Sequence, residues 1–219
     1  KYINFNLFYL PINIDRYSFF YTNLLMRFKI FKFKSVTSTN DVAINLIKNK
    51  KKISGCVYAE KQTKGRGTHG KGWISDRGNL FGSIFFPLKN NFPPFNEFSI
   101  INPIIISQVI NYFCNKNSIS LKFPNDVFVN KKKICGILQE LIILNNRKFL
   151  IIGIGINVSS NPNLNKKYKA TNIFLECKKR PKIKEIIDII ISSYENFFIN
   201  LNSYSYVNYK KKADLMSAN

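Results

Sequence analysis

Apolar and basic residues alternate over Phe28–Lys34 (FKIFKFK), the period-two mark of a strand with one buried face. Polar residues with N-cap character follow in Val36–Asp41, and Val42–Ile47 continues as a short amphipathic helix, giving a helix near 40–49. The apolar run Gly55–Ala59 reads as a buried strand and Asn79–Phe86 as an aromatic-rich one. Apolar residues return at helical spacing over Phe95–Phe113, which predicts the main core helix in spite of Pro103. A meander comes next, with strands at Ser120–Phe123, Val127–Val129, Lys133–Ile143 and Lys148–Asn157. Short turns at Asn130-Lys131-Lys132 and Asn145-Asn146 join the later strands, so these are hairpins of an antiparallel sheet. Pro181 opens a last helix reaching about Leu201, with Ile183, Ile186, Ile190, Tyr194, Phe197 and Leu201 on one face. The pattern predicts an α/β (α+β) fold: a mixed, mainly antiparallel sheet backed by helices near 40–49, 95–113 and 182–201. Residues 1–27 read as an aromatic extension, Pro162–Lys169 as a polar loop, and 202–219 as a polar tail that builds no further core.

Composition changes this picture in two places. The 219 residues carry 34 Lys and Arg against 12 Asp and Glu, a formal charge of +22. Only 6 of the 34 cations are Arg, and they are scattered among Asn, Ile, Phe and Tyr. That spread argues for compositional drift over a dedicated nucleic-acid surface, which concentrates Arg among aromatics. The four cysteines, Cys56, Cys114, Cys135 and Cys177, form no C-x-x-C pair. They read as reduced thiols of a cytoplasmic protein. No apolar run reaches the ~18 residues of a spanning helix, and no membrane association is expected.

The chemistry is concentrated in the segment leaving the second strand, Glu60–Trp73. It holds four of the ten glycines, the single histidine, His69, and the single tryptophan, Trp73. A glycine-rich cationic segment offers backbone N–H groups that wrap an anion, and the indole offers a stacking face. An anion plus a flat ring points to a nucleotide. The segment lacks the Gly-Lys-Ser/Thr ending of a P-loop and the G-x-G-x-x-G of a dinucleotide fold. Taken one at a time, Ser38, Thr39 and Asn40 read as helix caps, Asp126 as a candidate turn cap, and Lys133 as a solvated turn lysine. Gly136, Gly153 and Gly155 fall inside strands, where glycine marks a bulge or the close approach of a ligand.

Four segments in order carry a resemblance: Ser38-Thr39-Asn40; Gln62…Gly65-Arg66-Gly67…Gly70…Trp73; Lys122-Phe123-Pro124-Asn125-Asp126…Lys133…Gly136-Ile137-Leu138…Glu140; and Gly153-Ile154-Gly155-Ile156-Asn157. Together they resemble the catalytic domain of biotin–protein ligases (biotin–[acetyl-CoA-carboxylase] ligases, holocarboxylase synthetases), over about residues 28–201. The resemblance implies a class II synthetase-like fold and a two-step reaction. Biotin and MgATP give biotinyl-5′-AMP, and a lysine of the biotin carboxyl carrier protein of acetyl-CoA carboxylase then attacks it. It implies catalytic roles for Lys133, Arg66 and Asp126, with Asp126 also the candidate Mg²⁺ ligand. It implies biotin contacts from Ser38, Thr39, Asn40, Gln62, Gly65, Arg66, Gly67, Thr68, Lys133, Gly136 and Gly155. ATP contacts would come from Arg66, Trp73, Lys122, Asn125, Lys133 and Asn157, with Trp73 covering the adenine.

Two departures stand out. Many relatives read Gly-Arg-Gly-Arg-Arg-Gly where this chain reads Gly-Arg-Gly-Thr-His-Gly, so Thr68 removes a cation near the adenylate. Phe123 stands where a tryptophan usually precedes Pro-Asn-Asp. Neither the N-terminal helix-turn-helix domain of the repressor members nor the C-terminal SH3-like domain of most bacterial members is expected in these 219 residues. The expected state is a monomer or weak homodimer without specific DNA binding. The alternatives are a lipoate or octanoyl transferase of the same superfamily, whose Arg-Arg…Gly-Gly-Gly…His-Asp pattern is missing here, and a basic nucleic-acid-binding module. The glycine loop at 62–73 is expected to be mobile without ligand.

Overall fold

The computed structural model describes residues 26–115, 117–162 and 169–217. Residues 1–25 of the expected extension and 163–168 of the expected loop lie outside the described residues. The strands are β1 (Ile30–Phe33), β2 (Gly55–Ala59), β3 (Leu80–Pro87), β4 (Ile119–Lys122), β5 (Asp126–Val129), β6 (Lys132–Leu144) and β7 (Arg147–Ile156). They form one sheet in the spatial order β1-β2-β3-β7-β6-β5-β4. Only β1 and β2 run parallel, joined by helix α1 (Thr39–Lys48), and every other neighbouring pair is antiparallel. The hairpin turns are built on paired positive φ values, Asn130 (49°) with Lys131 (63°) and Asn145 (49°) with Asn146 (61°), a two-residue turn that asparagine tolerates.

The remaining helices are α2 (Phe98–Phe113), α3 (Ile173–Cys177), α4 (Ile183–Ile199) and α5 (Tyr206–Met216). Alternation along the strands sends side chains to two different cores. Cys56, Tyr58, Ile84, Phe86, Leu150, Ile152 and Ile154 face α2 and α4 in the main core. Val57, Phe85, Phe149 and Ile151 face α1 with Ala43 and Ile47 in a smaller one. α2 is buried nearly all round, so its polar residues need internal partners. Asn102 finds them, accepting from Tyr194 Oη (2.9 Å) and donating to Gln139 of β6 (3.0 Å). On α4 the buried residues Ile186, Ile187, Ile190, Ile191, Tyr194, Phe197 and Phe198 follow the expected stripe.

Two expectations are corrected. The stretch after residue 202 is not a coreless tail: α5 packs on α2 and β4, buries Ala213 and Met216, and pairs Ser217 with Leu121. Its signal was weak because only two apolar positions among many lysines are buried, and Ser205 supplies the cap through its side chain. The thiols are not all free either. Cys114, capping α2, and Cys177, ending α3, are joined in a disulfide, while Cys56 and Cys135 are buried free thiols. Widely spaced cysteines carry no pairing signal in sequence, and only the fold brings these two together.

Candidate active site

The site lies on the α1 side of the sheet, where that face runs out of side chains. In β6 and β7, Gly136 is paired directly with Gly155, and Gly153 is two residues further along the same face. A side chain at Gly136 or Gly155 would run into the indole of Trp73, and one at Gly153 would strike the amide of Asn40. The glycines therefore let a ring lie flat on the backbone of two adjacent strands. In this structure that ring is Trp73. Its Nε1 is buried without a hydrogen-bond partner. An unsatisfied buried donor costs about 1–3 kcal/mol, which a ligand acceptor or a movement of the ring would relieve.

The N-terminus of α1 forms one wall. Ser38 occupies the N-cap position, yet its side chain makes no cap hydrogen bond, so capping does not account for it. Gln62 Oε1 accepts from the Thr39 amide (2.8 Å) and the Thr39 hydroxyl (3.2 Å). Ser83 Oγ lies 2.8 Å from Thr39 Oγ1 and donates to Asn40 Oδ1 at 2.5 Å. Asn40 Nδ2 donates to Glu140 Oε2 at 2.6 Å. Ser83 and Glu140 carried no role in the sequence reading. Ser83 has no motif around it, and its membership follows from the register Ser83↔Gly153 alone.

The opposite wall is the turn Phe123–Asp126 with the start of β6. Lys133 Nζ pairs with Asp126 Oδ1 at 2.7 Å, their side chains 14% and 10% exposed, and sits 5.5 Å from the Trp73 ring centroid. The strip 169–171 brackets Lys133: its amide donates to Lys169 O, and its carbonyl accepts from the Thr171 amide (both 2.9 Å). Asn157 Nδ2 donates to Thr171 O (2.9 Å) and braces the same strip. Behind it, Glu176 accepts from Thr171 (2.6 Å), Asn130 (2.7 Å) and Lys132 (3.0 Å). Lys132 is thus tied away from the site while Lys133, the next residue, points into it.

The glycine loop closes the top. It is a small hairpin rather than the structureless loop its composition suggested: Arg66 bridges Gly72, the Trp73 amide donates to Gly65 O (2.9 Å), and the Gly67 amide donates to Lys71 O (2.7 Å). His69 and Gly70, at φ 56° and 71°, turn it. Asn125 Nδ2 reaches Thr68 Oγ1 at 3.4 Å and joins the loop to the opposite wall. Arg66 does not project freely: its two terminal nitrogens fork onto Glu140 (2.8 Å each), and Nη2 also meets Asp41 (2.7 Å). Glu140's hydrogen bonds, outweighing partial burial, hold the guanidinium pKa above its ordinary value.

These walls enclose a cavity of about 400 Å³. Of the residues expected from sequence, Ser38, Thr39, Asn40, Gln62, Arg66, Gly67, Thr68, Trp73, Lys122, Asn125, Asp126, Lys133, Gly136, Gly155 and Asn157 all line it. Gly65 does not: it packs against Trp73 O and Ser75 inside the loop hairpin, where a Cβ would not fit. Trp73 lies over Gly136 and Gly155. Among the lining residues Asp126 is the one carboxylate, and no cluster of three acidic, His or Cys side chains suited to a metal occurs among the described residues.

Residues 32–157 match the family model described as the biotin/lipoate A/B protein ligase family. The chain belongs to that family. Within it, the chain is 32% identical over 130 residues to the bifunctional ligase/repressor BirA of Bacillus subtilis, covering 58% of this chain and 40% of that one. It is 28% identical over 129 residues to the biotin–[acetyl-CoA-carboxylase] ligase of Paracoccus denitrificans, covering 57% and 52%. The chain spans about two fifths of the length of the BirA relatives it matches. Among solved structures, the biotin protein ligase of Leishmania major with biotinyl-5-AMP aligns with TM-score 0.74 and 25% identity, covering 87% of this chain and 81% of that one. The Aquifex aeolicus biotin protein ligase with biotin and ATP aligns with TM-score 0.71 and 27% identity, covering 86% and 78%.

Proposed function

We propose that this chain is a biotin–protein ligase that condenses biotin with ATP and passes the biotinyl group to a carrier lysine. The observation that carries it is the placement of the Lys133 ammonium in the cavity, between a neutral hydrogen-bonding wall and the Asn125–Asp126 turn. About 400 Å³ is on the scale of a small-molecule pocket. The relatives solved with biotinyl-5-AMP and with biotin plus ATP share this fold.

In the first step a carboxylate oxygen of biotin attacks the α-phosphorus, and pyrophosphate leaves with the bonding electron pair. Two anions must meet, so the barrier falls where a fixed cation faces both in a water-poor site. Lys133 supplies that cation, and its ion pair with Asp126 holds it in the cavity. The wall of Ser38, Thr39 and Gln62 holds the neutral ring end of biotin, and the glycine hairpin keeps water from the mixed anhydride. In the second step a carrier lysine nitrogen attacks the acyl carbon, AMP leaves on its phosphate oxygen, and the amine loses one proton. Asp126 stands where it can take that proton. A Mg²⁺ ion accompanying ATP would be held by the Asp126 carboxylate together with phosphate and water, and would offset phosphate charge there. The partner is the biotin carboxyl carrier protein of acetyl-CoA carboxylase; the compartment we propose is the cytoplasm, where the Cys114–Cys177 disulfide is the uncommon feature. No helix among the described residues is long and apolar enough to cross a membrane.

The test is ATP–pyrophosphate exchange measured with biotin and, separately, with lipoate. Exchange with biotin alone supports the reading. Exchange only with lipoate moves the chain to the lipoate branch of the family, and exchange with neither overturns the proposal.

A further inference from the structure

Glu140 is assigned no part in the reaction above, yet it joins two walls of the cavity. It stands on the site face of β6, four residues beyond Gly136, with its side chain 25% exposed. Both its oxygens accept from Arg66 at 2.8 Å, and Oε2 also accepts from Asn40 Nδ2 at 2.6 Å. Arg66 belongs to the glycine hairpin, Asn40 to the first turn of α1, and Asp41, the next residue, holds Arg66 from the other side at 2.7 Å. Three long-range attachments therefore meet within one cluster. Its formal charge is −1, from one guanidinium and two carboxylates, so Arg66 presents no net cation to an incoming anion.

A lone exposed ion pair would deserve little weight, since its attraction is screened and it costs side-chain entropy. A bidentate Arg–carboxylate fork within a network is the exception, because two parallel bonds fix direction as well as distance. The same carboxylate orients the Asn40 amide: Nδ2 faces Glu140, so Oδ1 must face Ser83. We propose that Glu140 is a positioning residue for the reaction, the fixed post to which Arg66 latches the glycine hairpin over the cavity. It aligns the Asn40 wall by the same contact. Closure of the hairpin and the shape of the ring-binding wall are thereby coupled through one side chain. The coupling to ligand rests on the functional reading above; the latch itself does not.

Glu140→Gln separates the parts. It keeps an oxygen to accept from Asn40, removes the charge, and turns an NH₂ toward the Arg66 fork. Amide hydrogen exchange within 65–73 of the unliganded protein should accelerate at least about tenfold, as the local opening becomes easier. Protection in β6 and β7 should stay within about twofold. In pyrophosphate exchange the KM for biotin should rise about tenfold, with kcat changed less than about threefold, the signature of lost positioning. Arg66→Ala in the Glu140→Gln background should add little to the hydrogen exchange at 65–73, because both substitutions open one latch. Unchanged exchange at 65–73 in Glu140→Gln overturns the latch whatever the enzyme turns over. Accelerated exchange at 65–73 with no change in KM overturns the link to the reaction. If the parent chain shows no pyrophosphate exchange, the functional reading fails, and the hydrogen-exchange arm still decides the latch.

Discussion

The residues expected for the site line the cavity, Gly65 apart; they were legible because each belongs to a short, ordered motif with a chemical reason for its residue type. Their pairings were not legible. Glu140 meets Arg66 across 74 positions, Ser83 meets Asn40 across 43, and Glu176 meets Lys132 across 44; no local pattern encodes such pairs. Among three consecutive lysines at the β5–β6 turn, structure singles out one: Lys131 sits at positive φ in the turn, Lys132 pairs with Glu176, and Lys133 pairs with Asp126 in the cavity. Lys133→Ala should lower the rate of adenylate formation by about 10²–10³, the scale of losing one preorganised electrostatic contact. Lys131→Ala should change it by less than about threefold. Single-turnover adenylation of both variants checks this, and equal losses would remove Lys133 from its role. Trp73 allows a second test at this scale. Gly155→Ala places a methyl group where the indole now lies, so the ring must lift off the sheet. Because Trp73 is the single tryptophan, its emission should shift to the red; an unshifted spectrum means that the ring does not rest on Gly155.

At the scale of elements, strands and hairpins were readable to within a residue or two, since alternation and paired asparagine turns are local signals. α3 is not apparent in sequence because five residues are too few to show a helical period; the structure makes it matter through Glu176. Burial pulls the Glu176 carboxyl upward in pKa, but hydrogen bonds from Thr171, Asn130 and Lys132 outweigh it, and the net shift is downward. For a carboxyl depressed in the folded state, the stabilisation is present above the unfolded pKa of about 4.3 and is lost as pH falls through the folded value. Glu176→Gln should therefore lower the melting temperature at pH 7. It should also shrink the further loss as pH falls below the unfolded value, where the parent must come to protonate this group. Melting curves of both proteins from pH 7 to pH 3 give the comparison. A parallel offset at every pH would mean that Glu176 acts by shape alone.

For the whole molecule, the mixed, mainly antiparallel sheet and the gathering of the motifs followed from local pattern and motif order, while the strand order β1-β2-β3-β7-β6-β5-β4 and the long-range closures did not. The Cys114–Cys177 disulfide is the clearest of these, linking the end of α2 to α3 across a sequence separation of 63. A cross-link of that span removes loop-closure freedom from the unfolded chain. The chain-entropy relation gives about 4 kcal/mol, and typical values run from about 2 to 4 kcal/mol. For a chain of this length each kcal/mol moves the melting temperature by about 2–4 °C, so reduction should lower it by roughly 5–15 °C. Turnover at 25 °C should persist on reduction, because Lys133 is also held by Asp126 and by the backbone of 169–171. Thiol titration of the unfolded, unreduced protein should find two reactive groups, Cys56 and Cys135, rather than four. The Cys114→Ala/Cys177→Ala double variant should melt near the reduced parent and ignore added reductant. Four titratable thiols, with a melting temperature indifferent to reductant, would restore the expectation of a fully reduced chain. The position of α3 would then rest on Glu176 and the packing of Ile173 against the core.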